Sequence, residues 1–217
     1  MADVIPFCVA LRSRTREAAT GGQAELLDRL LTGDAGRDDY VALVSQHYFL
    51  YEALESAAGL VRRDPVVAPF LSHELTRMPA ISADLDFLIG SHWREEIRPL
   101  PATRALIERI RTVATRWPNG FIAHHYTRYL GDLAGGQLIS SLLQRRFGFE
   151  TNGVGFFLFA EIADPGAFKM TYRQQLDDAP WDEDERERVI DEVLLAARLN
   201  RALSAEITMA PPGVSTA

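Results

Sequence analysis

The sequence predicts an all-α, single-domain fold, and three observations carry that prediction. Apolar residues recur at three- and four-residue spacing along nearly all of the 217 residues, the period of a helix with one buried face. No stretch shows the sustained alternation of a half-buried strand. The prolines fall between periodic segments as boundaries, and no linker divides the chain.

In chain order, the first helix covers residues 7 to 18, after Pro6, and a second short one covers 23 to 31, ending near Gly33. Asp38 or Asp39 is expected to cap the third. Its Tyr40, Leu43, Val44, His47, Tyr48, Leu50, Tyr51 and Leu54 form a broad apolar and aromatic face that must be largely buried. Pro65, Pro69, Pro79, Pro99, Pro101 and Pro118 separate helices expected at 66 to 77, 82 to 94 and 102 to 117, because proline lacks the amide donor that a helix interior needs. A long apolar pattern then runs from Gly120 to Phe147 and Gly148, with Gly131, Gly135 and Gly136 in its middle. One further helix includes Phe168 to Leu176. The last starts in the acidic run around Asp182 to Glu187 and continues to about Thr208, since negative charge suits a helix N-terminus. The helical domain is therefore drawn over residues 1–209, with a disordered tail at 210–217.

Hydrophobic residues make up 47% of the chain, enough to bury one substantial core without disulfides or metals. The single cysteine, Cys8, cannot form an intramolecular bridge, and the start MADVIPFCVA lacks the basic residues and long apolar run of a secretory signal. The chain reads as cytoplasmic. No apolar stretch approaches the roughly 20 residues that span a bilayer, so no membrane is expected as a partner. The net charge of -7 argues against a nucleic-acid partner, which calls for clustered Lys and Arg. A small-molecule site is expected instead.

Each of three glycines inside a strong helix costs about 0.5 to 1 kcal/mol relative to alanine, so something must offset them. Gly131 and Gly135 are four apart and share a face, opening a notch that fits either tight helix packing or the close approach of a flat ligand. Arg128 and Asp132, also four apart, place a charged pair beside the notch, and Tyr126 and Tyr129 add hydroxyls to the same turns. Polar groups beside bare backbone point to a ligand.

The run HHYTRYLGDLAGGQ, residues 124 to 137, resembles the distal-helix motif of the heme oxygenase family nearly residue for residue. LRSRTREA (11–18), YFLYEALE (48–55) and FKMTYRQQL (168–176) resemble that family's first, third and later heme-facing helices. The resemblance implies a heme held between the first helix and the glycine-rich helix, serving as substrate and cofactor together. Dioxygen and electrons from an external reductase or ferredoxin would convert it to biliverdin, carbon monoxide and ferrous iron. The resemblance assigns Asp132 the water that supplies protons during oxygen activation, and puts Tyr51 and Arg128 in the same network. It assigns Arg12, Tyr126, Lys169 and Arg173 to the heme propionates, and Gly131, Gly135 and Gly136 to the face against the macrocycle.

The family's first helix carries a histidine that binds the heme iron, and this chain has Ala19 at that position, seven residues after Arg12 on the same helix face. A methyl group cannot ligate iron, so the metal ligand is left unassigned. His47, within one turn of Tyr51, reads as a core histidine and is the first alternative; His124 and His125 read as structural, and His73 and His92 as surface or capping residues. Cys8 reads as a small packing residue. The chain carries no flavin or nicotinamide fingerprint, and no Glu and His set at the spacings of a helical dimetal site. Two functions remain: a biliverdin-forming heme oxygenase, or a heme- or tetrapyrrole-binding protein that keeps the pocket without turnover, which Ala19 favours.

Overall fold

Helix α1 runs Phe7–Ala19 and buries Phe7, Leu11 and Thr15, one residue per turn. The computed structural model describes residues 5–19, 29–30 and 32–209, and among these no strand occurs. The helix expected over 23 to 31 falls mostly outside the described residues, and the tail 210–217 falls wholly outside them.

Helix α2, Arg37–Val61, is the spine of the core. Tyr40, Leu43, Val44, Leu50, Tyr51 and Leu54 are all at most 2% exposed, as the three- and four-residue spacing predicts. Each such side chain stabilises the fold by about 1.5 to 3 kcal/mol relative to exposure. The expected cap is corrected: the N-cap is Gly36, and Asp39 accepts a hydrogen bond from the Gly36 backbone N–H at 2.7 Å. The aspartate binds from inside the helix and does not begin it.

Residues 66 to 77 form no α-helix. They make two single 3-10 turns, Ala68–Phe70 and His73–Leu75, because Pro69 removes a donor in mid-segment and carboxylates bind the backbone instead. Asp64 Oδ1 accepts from Val66 and Val67 N–H, and Glu55 Oε1 accepts from Arg77 and Met78 N–H. Helix α3 starts earlier than expected, Met78–Ile89, and stops at Gly90, whose φ of 91° suits glycine. A short α4, Trp93–Glu96, follows, then α5, Pro101–Arg116. Helix α6, Pro118–His125, continues through a π-helical turn, Tyr126–Leu130, into α7, Gly131–Phe147. Helix α8 spans Pro165–Asp178, and α9 spans Glu183–Met209. Helix α1 packs against α8 and α9, while α2 packs against α3, α5 and α9.

The acidic run starts α9 as its composition suggests. Asp182 Oδ1 accepts from Glu185 N–H at 2.8 Å, and Glu185 also receives the Trp117 indole and Asn119 amide, each at 2.6 Å. Further along α9, buried Glu192 accepts from Arg109 and, at 2.8 Å, pairs with His124 Nε2. Burial alone would raise this carboxyl, but the bonds from Arg109 and His124 bring it down to about 2.

His125 pairs through Nδ1 with the Tyr172 hydroxyl at 2.9 Å, and burial pushes its imidazole down to about 3. An unfolded histidine titrates near 6.5. Because the folded pKa is the lower one, this contribution to stability is complete above about pH 6.5 and is lost as pH falls toward 3. Buried His47 shifts in the same direction. Stability should therefore fall by about 1 kcal/mol per pH unit for each of these histidines below pH 6.5. Urea midpoints at pH 7, 6 and 5 test this: His125→Phe should flatten the slope, and an unchanged slope would exclude His125 as a source.

Candidate functional site

The continuous rod α6, π-turn, α7 carries most of the site. The wider π turn, a feature frequent at functional sites, ends at Leu130, so Gly131 opens the α-helix that follows. Arg128, Tyr129 and Leu130 point into the core.

Asp132 is 3% exposed and is held from two sides. The Tyr51 hydroxyl donates to its Oδ2, and Arg128 Nη2 lies 3.3 Å from the same oxygen. Arg128 also donates to Asn200 Oδ1 at 3.2 Å and pairs with His47 Nε2 at 3.2 Å, and its guanidinium stands 5.5 Å from the Tyr51 ring centre. Burial and the Asp132 charge push the Tyr51 phenol well above its ordinary value, so it stays a donor. Burial works against the Arg128 charge, but Asp132 and Tyr51 outweigh it and hold its pKa up. Asp132, Leu133, Gln137, Phe157, Leu158, Phe159, Ala160, Ile162 and Pro165 line a cavity of about 180 Å³. That is room for several waters.

The three glycines divide into two roles. Among the described residues, a Cβ at Gly131 would meet nothing within 4 Å, and one at Gly135 only Ile139 at 3.5 Å. Leu138, on the same face, is 66% exposed. Bare backbone and an uncovered leucine thus form an apolar strip. Gly136 departs from the expectation that groups it with them: a Cβ there would sit 2.7 Å from the Phe157 carbonyl oxygen, so its missing side chain admits the 155–157 turn. Asp84 pins that turn by accepting from Gly155 and Phe156 N–H, at 2.9 and 2.7 Å, and buried Arg77 donates to the Phe156 and Leu158 carbonyls. The Phe156 ring packs 5.2 Å from Tyr51 and 4.9 Å from His47.

The expected anion contacts lie where α1 meets α8. Arg12 and Arg173 both act electrostatically on the Tyr126 hydroxyl and on Cys8. Lys169 stands one turn before Arg173 on α8 and is partly buried. The Cys8 thiol donates to Asp177 at 3.0 Å, and burial and Asp177 push it up to about 11. It is a neutral donor, not a thiolate. Ala19 is the last residue of α1. His73 and His92 are exposed, with side-chain exposures of 87% and 81%, whereas His47, His124 and His125 are buried and hydrogen-bonded.

Sequence reasoning missed the parts of this network that come from a distance. Asn200, on α9, carries no motif, and His47 contacts Arg128 across 81 positions of chain. No helix among the described residues is long and apolar enough to cross a membrane.

A sequence model of heme oxygenase matches residues 6–206. Heme oxygenase 1 of the cyanobacterium Synechocystis sp. is 37% identical over 177 residues, covering 82% of this chain and 74% of that protein. Human heme oxygenase 1 is 35% identical over 202 residues, covering 91% of this chain and 70% of the human protein. The crystal structure of heme oxygenase-1 from Synechocystis, in complex with heme, superposes with a TM-score of 0.87 at 34% identity over 93% of this chain and 92% of that one.

Proposed function

Because the chain belongs to the heme oxygenase family, we propose that it binds heme against the Gly131 and Gly135 face of α7 and degrades it, with dioxygen and electrons from an external reductase or ferredoxin, to biliverdin, carbon monoxide and ferrous iron. The residues present fit such a ligand. A flat apolar macrocycle needs bare backbone and an uncovered hydrophobic strip, which Gly131, Gly135 and Leu138 supply. Two propionates need cations, which Arg12 and Arg173 supply beside the Tyr126 hydroxyl, with Lys169 one turn before Arg173.

One observation carries the catalytic reading: the buried Asp132 carboxylate is held by Tyr51 and Arg128, in a residue that also lines a cavity with room for water. Bound heme supplies the iron at which dioxygen is reduced. The protein's own part is to hold and deliver protons. The Arg128 guanidinium keeps a positive charge beside Asp132, so the carboxylate can accept hydrogen bonds from cavity waters and orient their protons. Tyr51 and Arg128 both meet Oδ2, which leaves Oδ1, 3.5 Å from Arg128 Nη2, as the oxygen open to water. Aromatic packing by Phe156 closes the far side of Tyr51.

Ala19 favours a second reading, a heme binder without turnover, because a methyl cannot ligate iron. Titration with hemin should give a saturable one-to-one complex under either reading, and its absence would overturn both. Biliverdin produced by that complex with reductant and dioxygen selects the enzyme. The same material tests residue 19: Ala19→His should add an iron-histidine stretch to the resonance Raman spectrum of the ferrous complex. Residue 19 lies two helical turns beyond Arg12 on α1, so it sits under the macrocycle if Arg12 holds its edge. The same band in the parent protein would mean that another histidine already ligates the metal.

A further inference from the structure

His47 is 2% exposed, and its Nε2 lies 3.2 Å from Arg128 Nη2. A guanidinium can only donate, so Nε2 must be the acceptor. The imidazole is therefore neutral with its proton on Nδ1. That Nδ1 is buried and has no hydrogen-bond partner among the described residues. An unpaired buried donor costs about 1 to 3 kcal/mol, and a leucine would fill the same space beside Phe156 and Tyr51 without that cost. What the histidine adds over leucine is the Nε2 acceptor. Its place in the network supports this. Arg128 meets Asp132 from its own helical rod, Asn200 from α9 and His47 from α2, so three elements frame one guanidinium. A carboxylate on α2 would share the Arg128 charge, whereas a neutral acceptor orients the guanidinium and leaves that charge on Asp132. Burial and the Arg128 charge both disfavour protonation of the ring, which is consistent with a fixed acceptor.

We propose that His47 is a positioning residue for Asp132: a neutral, Nδ1-protonated imidazole that fixes the Arg128 guanidinium over the carboxylate. The role of Asp132 rests on the heme oxygenase reading, so the test has one arm that needs no heme. In apoprotein labelled with 15N-histidine at pH 7, the His47 ring, assigned by the signal lost in His47→Gln, should show a protonated Nδ1 and a bare Nε2. An imidazolium or the opposite tautomer would overturn the proposal. The Arg128 Nη protons should exchange slowly in the parent and in His47→Gln, whose amide oxygen can accept in place of Nε2, and faster in His47→Leu. Equal exchange in all three would also overturn it. With heme, His47→Leu should lose about tenfold in biliverdin yield, the equivalent of one hydrogen bond, while its hemin affinity stays within about twofold because Arg128 is buried and is not among the cations proposed for the propionates. His47→Gln should recover most of that yield. Full activity in the leucine variant, or no recovery in the glutamine variant, rejects the positioning role. If the leucine variant does not fold, the parent spectrum and the glutamine variant still decide. If the parent makes no biliverdin, the heme oxygenase reading fails and the apoprotein arm alone judges His47.

Discussion

Replacing Asp132 with alanine is expected to lower biliverdin formation by about 100-fold or more, the usual scale for losing a positioned proton-transfer group, while a one-to-one hemin complex still forms. The two effects separate because different residues carry them. The face and cations proposed for heme are Gly131, Gly135, Arg12, Lys169 and Arg173, whereas the side-chain partners of Asp132 are Tyr51 and Arg128. Asp132 also lines the 180 Å³ cavity. Alanine also leaves the buried Arg128 without its carboxylate, and uncoupling such a pair destabilises by about 3 kcal/mol or more. Asp132→Asn, which keeps the volume and one acceptor oxygen, is therefore the companion variant. It also removes the charge but keeps a hydrogen-bond acceptor for Arg128 and Tyr51, so it should be less destabilised than Asp132→Ala, bind hemin and still lose most of the yield. Hemin titration by absorbance and quantified biliverdin extraction check both. Undiminished yield from either variant would mean that another group organises the proton supply.

The second large effect is a contrast between two glycines five residues apart. Gly131→Leu should weaken hemin binding by about 100-fold, since a branched side chain would occupy the space that the macrocycle needs. It should not weaken the apoprotein: a Cβ there meets nothing within 4 Å among the described residues, and removing a glycine from a helix gains about 0.5 to 1 kcal/mol. Gly136→Ala should do the opposite. Its methyl would lie 2.7 Å from the Phe157 carbonyl oxygen, a backbone atom held in place by the Asp84 and Arg77 bonds to the same turn. Overpacking of this kind costs about 1 to 3 kcal/mol, which at this chain length lowers Tm by about 2 to 4 °C per kcal/mol. Thermal melts of both apoproteins, followed by hemin titration of the folded fraction, give four numbers. A destabilised Gly131→Leu that binds hemin normally, or a Gly136→Ala with unchanged melting, would remove the division of roles between the two positions.

What the sequence determined by itself is whatever repeats locally or is written in one contiguous run. The burial of α2 follows from apolar residues returning every three or four positions, because a helix turns by a constant angle per residue. The helix start in the acidic run and the notch between Gly131 and Gly135 are likewise set within a turn or two. The Arg128 and Asp132 pair was legible for the same reason, being one turn apart. Only the tertiary structure decided the rest. Residues 66 to 77 carry helical spacing, yet Asp64 and Glu55 take their backbone amides and Pro69 interrupts them, leaving two 3-10 turns. Gly136 looks like its neighbours in sequence but meets the Phe157 carbonyl from 21 residues away. His47 and Asn200 reach Arg128 across 81 and 72 positions, and a contact of that span leaves no period in the chain, because nothing between its ends must repeat for it to form.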